Sequence, residues 1–534
     1  MIFRDLTKEI TEKLLQEWAD QQRSARIAEY ETRYAELQSN VFTRARRETY
    51  WPRLNREKPP AYEERTKIWV PWNDLVSRRL ASVCLSGKCE RKFEPLADTD
   101  QGEADRANEL LELTNEIGDW EAAAHAVYYH ALGIGEISLW PEYRAFSRET
   151  GEPYATAAGS GVVYWQDWFP WFVEPIISDE RVNEPIGAVK LYFWDGFKAT
   201  AYLKQTVATA TGPARVVAEI YLAPIFDHIT GNQTCAGTYK KWVNGIEDYK
   251  GVPDALRGEN PYACNPVVTF RGPDPDESGY RGRSYGERFR DLAIQHSRLI
   301  SNIGQAIDVL PNIWKYRGDP KNAEKIVIRT NEIACIPEGD PPGDFAQAAR
   351  ELNLTEDWNL ANYIDSLIHV CGQLPQGFLR DMAGSGKTDS GTALKIVFQP
   401  IIEAMQSIRA EFGKAEKRRM VNTVKIVNTN NAKPIILNRI RPEVSYNQDL
   451  VPANEMEDIA NDLKLLADGV LALPDLVKKY NPTITTDEQV QAFMAENEGR
   501  KRAAQPQPFA IPSLRGGVPP QTQPNNNPIT GVKK

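Results

Sequence analysis

A chain of 534 residues exceeds what one compact core holds, so three or four subdomains are expected. A formal charge of −9 and a pI near 5.4 argue against a protein that coats nucleic acid with its outer surface, though not against a local basic element. With 13 Trp and 21 Tyr the chain is no disordered polymer. Cys84, Cys89, Cys235, Cys264, Cys335 and Cys371 form no CxxC pair, and no His or further Cys follows Cys84 and Cys89 at ligand spacing. Reduced structural thiols of a cytosolic protein are therefore expected, and no metal site. No apolar run approaches the length of a membrane span.

In chain order, residues 5–48 are charged and helix-favouring, with Ile10, Leu14, Leu15 and Trp18 as an apolar stripe. They read as a surface helical pair. Lys67–Val70 opens a packed unit that continues into a helix over Asn73–Leu85, with Leu75, Leu80 and Val83 on one face and Gly87 as its stop. A further helix is predicted over 103–132, carrying Leu110, Leu111, Leu113, Ile117, Trp120, Ala124 and Tyr128. Its His125 and His130 stand off a common face and read as core or rim residues rather than metal ligands.

Between 136 and 270 the pattern changes. Short β-prone runs (Glu136–Trp140, Val162–Trp165, Ala188–Trp194, Val216–Tyr221, Pro266–Phe270) alternate with turn residues and predict an antiparallel sheet. The aromatic cluster Trp165, Trp168, Phe169, Trp171 and Phe172 reads as core or subunit-interface packing. Ser284–Ile313 then repeats Tyr285, Phe289, Leu292, His296, Leu299, Ile303, Ala306 and Leu310 at alternating spacings of four and three. That predicts one helix about 45 Å long. Its apolar seam is narrow, as in helices that pack in bundles or rings, and His296 sits in the seam as a packing residue. Pro311 ends the helix. An excursion with a strand at Lys325–Arg329 and a turn at Pro337–Gly343 precedes a second helix, Glu356–Cys371.

A Gly-rich polar loop, Pro375–Ser390, runs from there into Gly391–Lys395 and a long helix over 391–429. Leu394, Val397, Ile401, Ala404, Ile408 and Phe412 share one face of it, and Pro400 predicts a bend. Within the loop, Gly384-Ser385-Gly386-Lys387-Thr388 invites a phosphate-loop reading. That template needs a glycine where Asp381 stands and a strand where Leu360, Ile364, Leu367 and Cys371 repeat at helical spacing. The loop reads better as a flexible segment on which Arg380 and Lys387, with Lys395 just beyond, can meet a polyanion. Strand-like passages follow at Pro434–Ile440 and Pro442–Tyr446, then helical pieces at Asn454–Ala467, Leu473–Tyr480 and Asp487–Asn497. Residues 501–534, rich in Pro, Gln and Asn, read as disordered.

Four stretches, in this order, resemble the portal (head-to-tail connector) proteins of tailed bacteriophages. Lys67–Gly87 resembles the amino-terminal wing segment. Asn265–Phe270, a short gap, then Ser284-Tyr285-Gly286-Glu287 resembles the entry to the stem. Ser390–Lys395 resembles the motif after the tunnel loop, and Asn447–Gly469 with Asp487-Glu488-Gln489 resembles the crown. Together they span most of residues 66–500; the Gly384–Thr388 sequence and the amino-terminal helix depart from the family pattern.

The resemblance implies an α+β fold: an N-terminal helical segment (1–65), a mixed α/β wing (66–283), a long-helix stem (284–313) and a small α/β clip (314–353). Residues 354–430 would supply the second stem helix, the tunnel loop (375–390) and a bent wing helix. A helical crown (431–500) and a disordered tail (501–534) would complete it. It further implies a homo-oligomeric ring, usually a dodecamer, at one capsid vertex of the virion, assembled in the host cytoplasm. Double-stranded DNA would pass through its channel. The large terminase, the major capsid or scaffolding protein and a head-tail adaptor protein would be its partners, with no membrane. Arg380, Lys387 and Lys395 would touch DNA transiently, and no catalytic residue, metal or cofactor is implied. The rival readings are a nucleotide-driven motor built on Gly384–Thr388 and a non-enzymatic helical scaffold; neither HExxH nor GxSxG is present.

Overall fold

The computed structural model describes residues 24–53, 65–85, 89–156, 159–178, 181–203, 214–226, 233–250, 256–275, 281–309, 314–317, 344–347, 354–375, 391–431, 433–446 and 489–494, with isolated positions besides. The chain is a mixed α/β protein. It divides into two units, Met1–Pro452 and Ala453–Lys534.

Helix α1 (Ser24–Leu37) is not the surface helix expected from its charge, and α2 (Arg44–Tyr50) follows it. Ile27, Tyr30 and Leu37 are buried, and so are Arg33 and Glu36. Glu36 accepts hydrogen bonds from the Tyr50 hydroxyl at 2.6 Å and from Arg290 at 2.7 Å, while Arg33 donates to the Ile134 carbonyl at 3.1 Å. Charges met by partners far along the chain can be buried, which local composition conceals. The stripe Ile10, Leu14, Leu15, Trp18 lies outside the described residues.

Helix α3 (Trp72–Cys84) buries Trp72, Val76, Leu80 and Cys84 at a spacing of four and leaves Leu75 exposed, a face turned away from the expected one. Strand β1 (Glu90–Pro95) follows. The single helix expected over 103–132 is two, α4 (Gln101–Ile117) and α5 (Trp120–Ile134). Gly118 closes α4, and Asp119 at φ 43° turns the chain before the apolar periodicity resumes. Helix α5 is apolar nearly all round and is the central rod of the core, packed by α1, α3 and two strands. Its end, Gly135, has φ +117°, and a Cβ there would lie 2.6 Å from the Gly282 carbonyl oxygen. The Gly272 amide donates to the Gly135 carbonyl at 2.6 Å. Three glycines thus let three backbones meet where α5 ends.

The β-rich middle forms two larger antiparallel sheets rather than one, with two short strand pairs besides, Ala155–Thr156 with Gly159–Ser160 and Ile225–Phe226 with Gln233–Cys235. The strands of the larger sheets are β2 (Glu136–Arg144), β3 (Val162–Trp168), β4 (Val173–Ser178), β5 (Arg181–Trp194), β6 (Ala199–Ala201), β7 (Arg215–Leu222), β8 (Thr238–Val243), β9 (Ile246–Glu247) and β10 (Val268–Arg271). One sheet runs β10-β2-β3; the other runs β9-β8-β7-β5-β4, with β6 beside β5. The six residues from Glu136 are all buried, so β2 is covered on both faces. Phe169 stacks on Trp171 at 4.5 Å between centroids, and Tyr34 of α1 meets both edge-on, so this part of the aromatic cluster is core.

The helix expected over Ser284–Ile313 is shorter. The Ser284 hydroxyl caps a 3-10 turn, Tyr285–Arg288, by accepting from the Gly286 amide, and Gly286 presses on the Asn73 side chain too closely for any Cβ. Helix α6 begins only at Arg290 and ends at Val309, which makes it about 30 Å long. Strands β11 (Trp314–Arg317) and β12 (Asp344–Gln347) pair antiparallel; the expected strand Lys325–Arg329 and turn Pro337–Gly343 lie outside the described residues. Helix α7 spans Thr355–Cys371, and α8 runs from Gly391 to Thr429 through Pro400.

Pro434–Ile440 is not a strand, since Leu437–Arg439 is a 3-10 turn. Strand β13 (Ile440–Ser445) pairs antiparallel with β1. Residues that the sequence groups with the crown therefore lie against the segment that follows α3. The helical pieces at Asn454–Ala467 and Leu473–Tyr480 and the tail 501–534 lie outside the described residues except at isolated positions; within Asp487–Asn497, residues 489–494 are helical.

Besides Arg33 and Glu36, charge is buried at three further places among the described residues. Arg281 bridges Glu136 at 2.7 Å and Glu174, and Arg26 also reaches Glu174. Lys190 pairs with Glu219 at 2.6 Å beneath Trp140 and Trp168. The third centres on Glu416 of α8, which is fully buried. Its Oε1 accepts from Arg91, Trp120 and Tyr128 at 3.0–3.2 Å, and its Oε2 accepts from Arg419 at 3.0 Å. Burial would raise this carboxyl, but Arg419 and Arg91 outweigh it and hold the group below the usual carboxylate range. The stability this adds is complete above the unfolded value near 4.5 and is lost as pH falls through the folded one. Glu416→Gln leaves two guanidiniums without their carboxylate. We expect it to cost about 3–5 kcal/mol in denaturant unfolding.

Candidate functional site

Helices α6 and α7 pack along each other, and the residues between them in sequence include the paired strands β11 and β12. Their shared root is closely tied. The Trp72 indole donates to His296 Nδ1 at 3.2 Å, and its ring meets His296 and His369 edge-on at 5.6 and 5.8 Å. The extended run before α3 is held by two serines of α6: the Val70 amide donates to Ser297 and the Ile68 amide to Ser301, at 3.1 and 2.8 Å. These serines, with Ala293, lie on the buried face of α6, whereas Leu292 and Leu299 of the expected seam are only half-buried. The seam was read from apolar side chains alone. Hydroxyls that satisfy backbone amides compete for the same burial.

A second clasp joins the entry of α6 to the exit of α7. The Tyr285 hydroxyl donates to the Gly372 carbonyl at 2.7 Å, and Arg288 donates to Gln373 Oε1 at 3.0 Å while holding Asp274 at 2.6 and 2.7 Å. Burial pushes the Tyr285 phenol up to about 12, so it stays a donor. Gln373 adopts φ 52°, which turns the backbone sharply at the last residues before position 376. These contacts fix the chain at Gly372 and Gln373, where α7 ends.

Helix α7 turns Ala361, Ile364 and Ile368 inward. On the adjoining face Leu360, Tyr363, Leu367 and Val370 recur at spacings of three, four and three, and three of them are open: Leu360 is 48 %, Tyr363 61 % and Val370 73 % exposed. The four have the spacing of a helix-packing seam that the described residues cover only in part. Trp358 and Ile307 are exposed as well. The helix carries Glu356, Asp357 and Asp365 but no Lys or Arg.

Of the sequence-predicted contact residues, Arg380 and Lys387 lie outside the described residues, as does Gly384–Thr388. Lys395 falls near the start of α8, and its side chain is not among those described. In the sequence Leu360 and Leu367 read, with Ile364 and Cys371, only as helical spacing, which leaves Tyr363 and Val370 ungrouped and the open seam on α7 unread. Its sign in the sequence is that two apolar stripes share one helix, Ala361-Ile364-Ile368 and Leu360-Tyr363-Leu367-Val370, where a subunit that buries one face needs only one. Burial makes two of the cysteines poor nucleophiles, pushing Cys84 up to about 12 and Cys89 up to about 11. His125 receives or gives a hydrogen bond at Ser82, and His130 packs against Tyr34, Tyr129 and Phe169. Among the described residues no group of three or more His, Cys, Asp or Glu could hold a metal ion, and no helix is long and apolar enough to cross a membrane.

No protein-family model matches this sequence, and none of the curated proteins matches it.

Burial lowers His296 and His130 below their ordinary 6.5. The neutral form is therefore the folded one: its contribution is complete above pH 6.5 and drains away as pH falls below that value toward the folded pKa. Thermal midpoints should drop between pH 7.5 and 5.5. His296→Gln, which keeps an acceptor for Trp72, should flatten part of that slope.

Proposed function

We propose that this chain is one subunit of a closed ring with an axial channel for double-stranded DNA, acting as the portal of a tailed bacteriophage. On this reading α6 and α7 form the ring wall, residues 314–353 the clip that meets terminase and later a head-tail adaptor, and residues 375–390 a tunnel loop. The observation that carries the reading is the open seam Leu360-Tyr363-Leu367-Val370 on a helix that already buries a separate face. An apolar stripe of this kind, left facing water, marks a partner surface, and neighbours repeating around an axis supply that partner to every copy. Three further features agree with it. The α6–α7 pair is interrupted by a small strand pair; the long helix α8 returns into the β-rich unit; and the loop carrying Arg380 and Lys387 starts from the clasp at Gly372–Gln373.

The proposed chemistry is passive. Glu356, Asp357 and Asp365 on α7 give a wall that repels phosphate, while Arg380, Lys387 and Lys395 supply a few weak contacts that salt screens. A sliding polyanion needs this balance, since tight contacts would stall it. No bond is made or broken by the chain itself.

Negative-stain images of the purified protein should contain closed rings with a central hole, and a lone globule or an open filament would overturn the proposal. Tyr363→Asp combined with Val370→Asp should give a folded monomer of unchanged circular dichroism, because both side chains are more than half exposed in the single chain. Arg380→Ala with Lys387→Ala should leave ring assembly intact and lower DNA retention in filled particles several-fold. Unchanged retention would remove the loop cations from the account.

A further inference from the structure

The Glu416 centre carries more positive charge than its one carboxylate can meet. Arg419 is fully buried and the Arg91 side chain is 6 % exposed, so two guanidiniums face a single acid. Two other buried centres balance: Arg281 and Arg26 face Glu136 and Glu174, and Lys190 faces Glu219. Neighbouring groups do not make up the difference. Asn115 accepts from Arg419 at 3.0 Å, the indole of Trp120 lies 4.0 Å from its guanidinium carbon, and both are neutral. The thiols of Cys84 and Cys89 and the phenol of Tyr128 are all pushed up by burial and stay protonated. Meanwhile Nη2 of Arg91 and Nη2 of Arg419 are each buried with no hydrogen-bond partner in the protein. Buried donors are almost always hydrogen-bonded, and buried charge is almost always compensated. Here both needs remain open on the same two side chains.

We propose that Arg91 and Arg419 hold a small monovalent anion, chloride under physiological conditions, between their free Nη2 groups. One chloride satisfies both donors and brings the centre to neutrality. A water molecule would satisfy the donors and leave the charge. A sulfate or phosphate dianion would over-compensate a single excess charge. The site joins β1 to α8, so occupancy stabilises the fold by mass action.

The test is thermal unfolding of the full-length protein in sodium chloride, sodium bromide and sodium gluconate at one ionic strength, which holds general screening constant. The midpoint should stand about 2 °C or more higher in chloride and bromide than in gluconate. Arg91→Met, which removes the excess charge, should abolish the difference. A bromide-soaked crystal should show an anomalous peak touching both Nη2 atoms. Equal midpoints in halide and gluconate for the unaltered protein overturn the proposal, whether or not the variant folds. So does a halide effect that survives in Arg91→Met, or a bromide peak absent from this centre.

Discussion

Charge taken out of water must be met by opposite charge or by donors, and Glu416 meets that demand with groups from three stretches of chain, a fourth supporting one of them. Arg91 comes from β1, Trp120 and Tyr128 from α5, Arg419 from the next turn of α8, and Tyr446, just past β13, shares a hydrogen bond with Tyr128 at 3.1 Å. None of these partners can leave without stranding a buried ion, which is why such a centre fixes register more sharply than apolar packing does. The pairing of β1 with β13 closes beside it. What holds α8 in place, then, is specific at its middle and apolar above, through Phe398, Ile401, Met405, Ile408 and Phe412.

That division matters for the other end of α8. The helix is fixed by residues from Phe398 onward, and α7 is fixed up to Gln373 by Tyr285 and Arg288. In sequence, Arg380 and Lys387 fall between these two anchored helices.

Local signals carried the helices and strands well where one element dictates its own burial. Helix α7 lies within a residue of its expected start because Thr355–Cys371 has no competing breaker, and β2, β3, β5 and β7 contain the runs read from alternation. The misses share a cause. Gly118-Asp119 is a readable stop, but apolar spacing continues across it and masks the break between α4 and α5. The pairing of β1 with β13 joins residues at opposite ends of the unit, and no local pattern reports it. Glu416 and Arg419 follow Phe412 by four and seven places and so stand on the apolar face, where charge reads as an interruption unless its distant partner is known. Arg380 and Lys387, which the sequence reads as contact residues, lie outside the described residues.

The open seam on α7 separates two kinds of stability within one helix. Ala361, Ile364 and Ile368 belong to the fold, because their neighbours are present in the single chain. Leu360, Tyr363 and Val370 stay largely open in the single chain, and leaving them so is a cost to the isolated subunit. An arrangement that keeps such a cost is intelligible when the covering surface is another copy, because rotation about an axis then covers every seam at once and leaves none over. An open stack of copies would leave a seam at one end, and a lone subunit would leave it everywhere. The physical case for a closed ring therefore rests on one helix carrying two apolar faces with only one of them met from within.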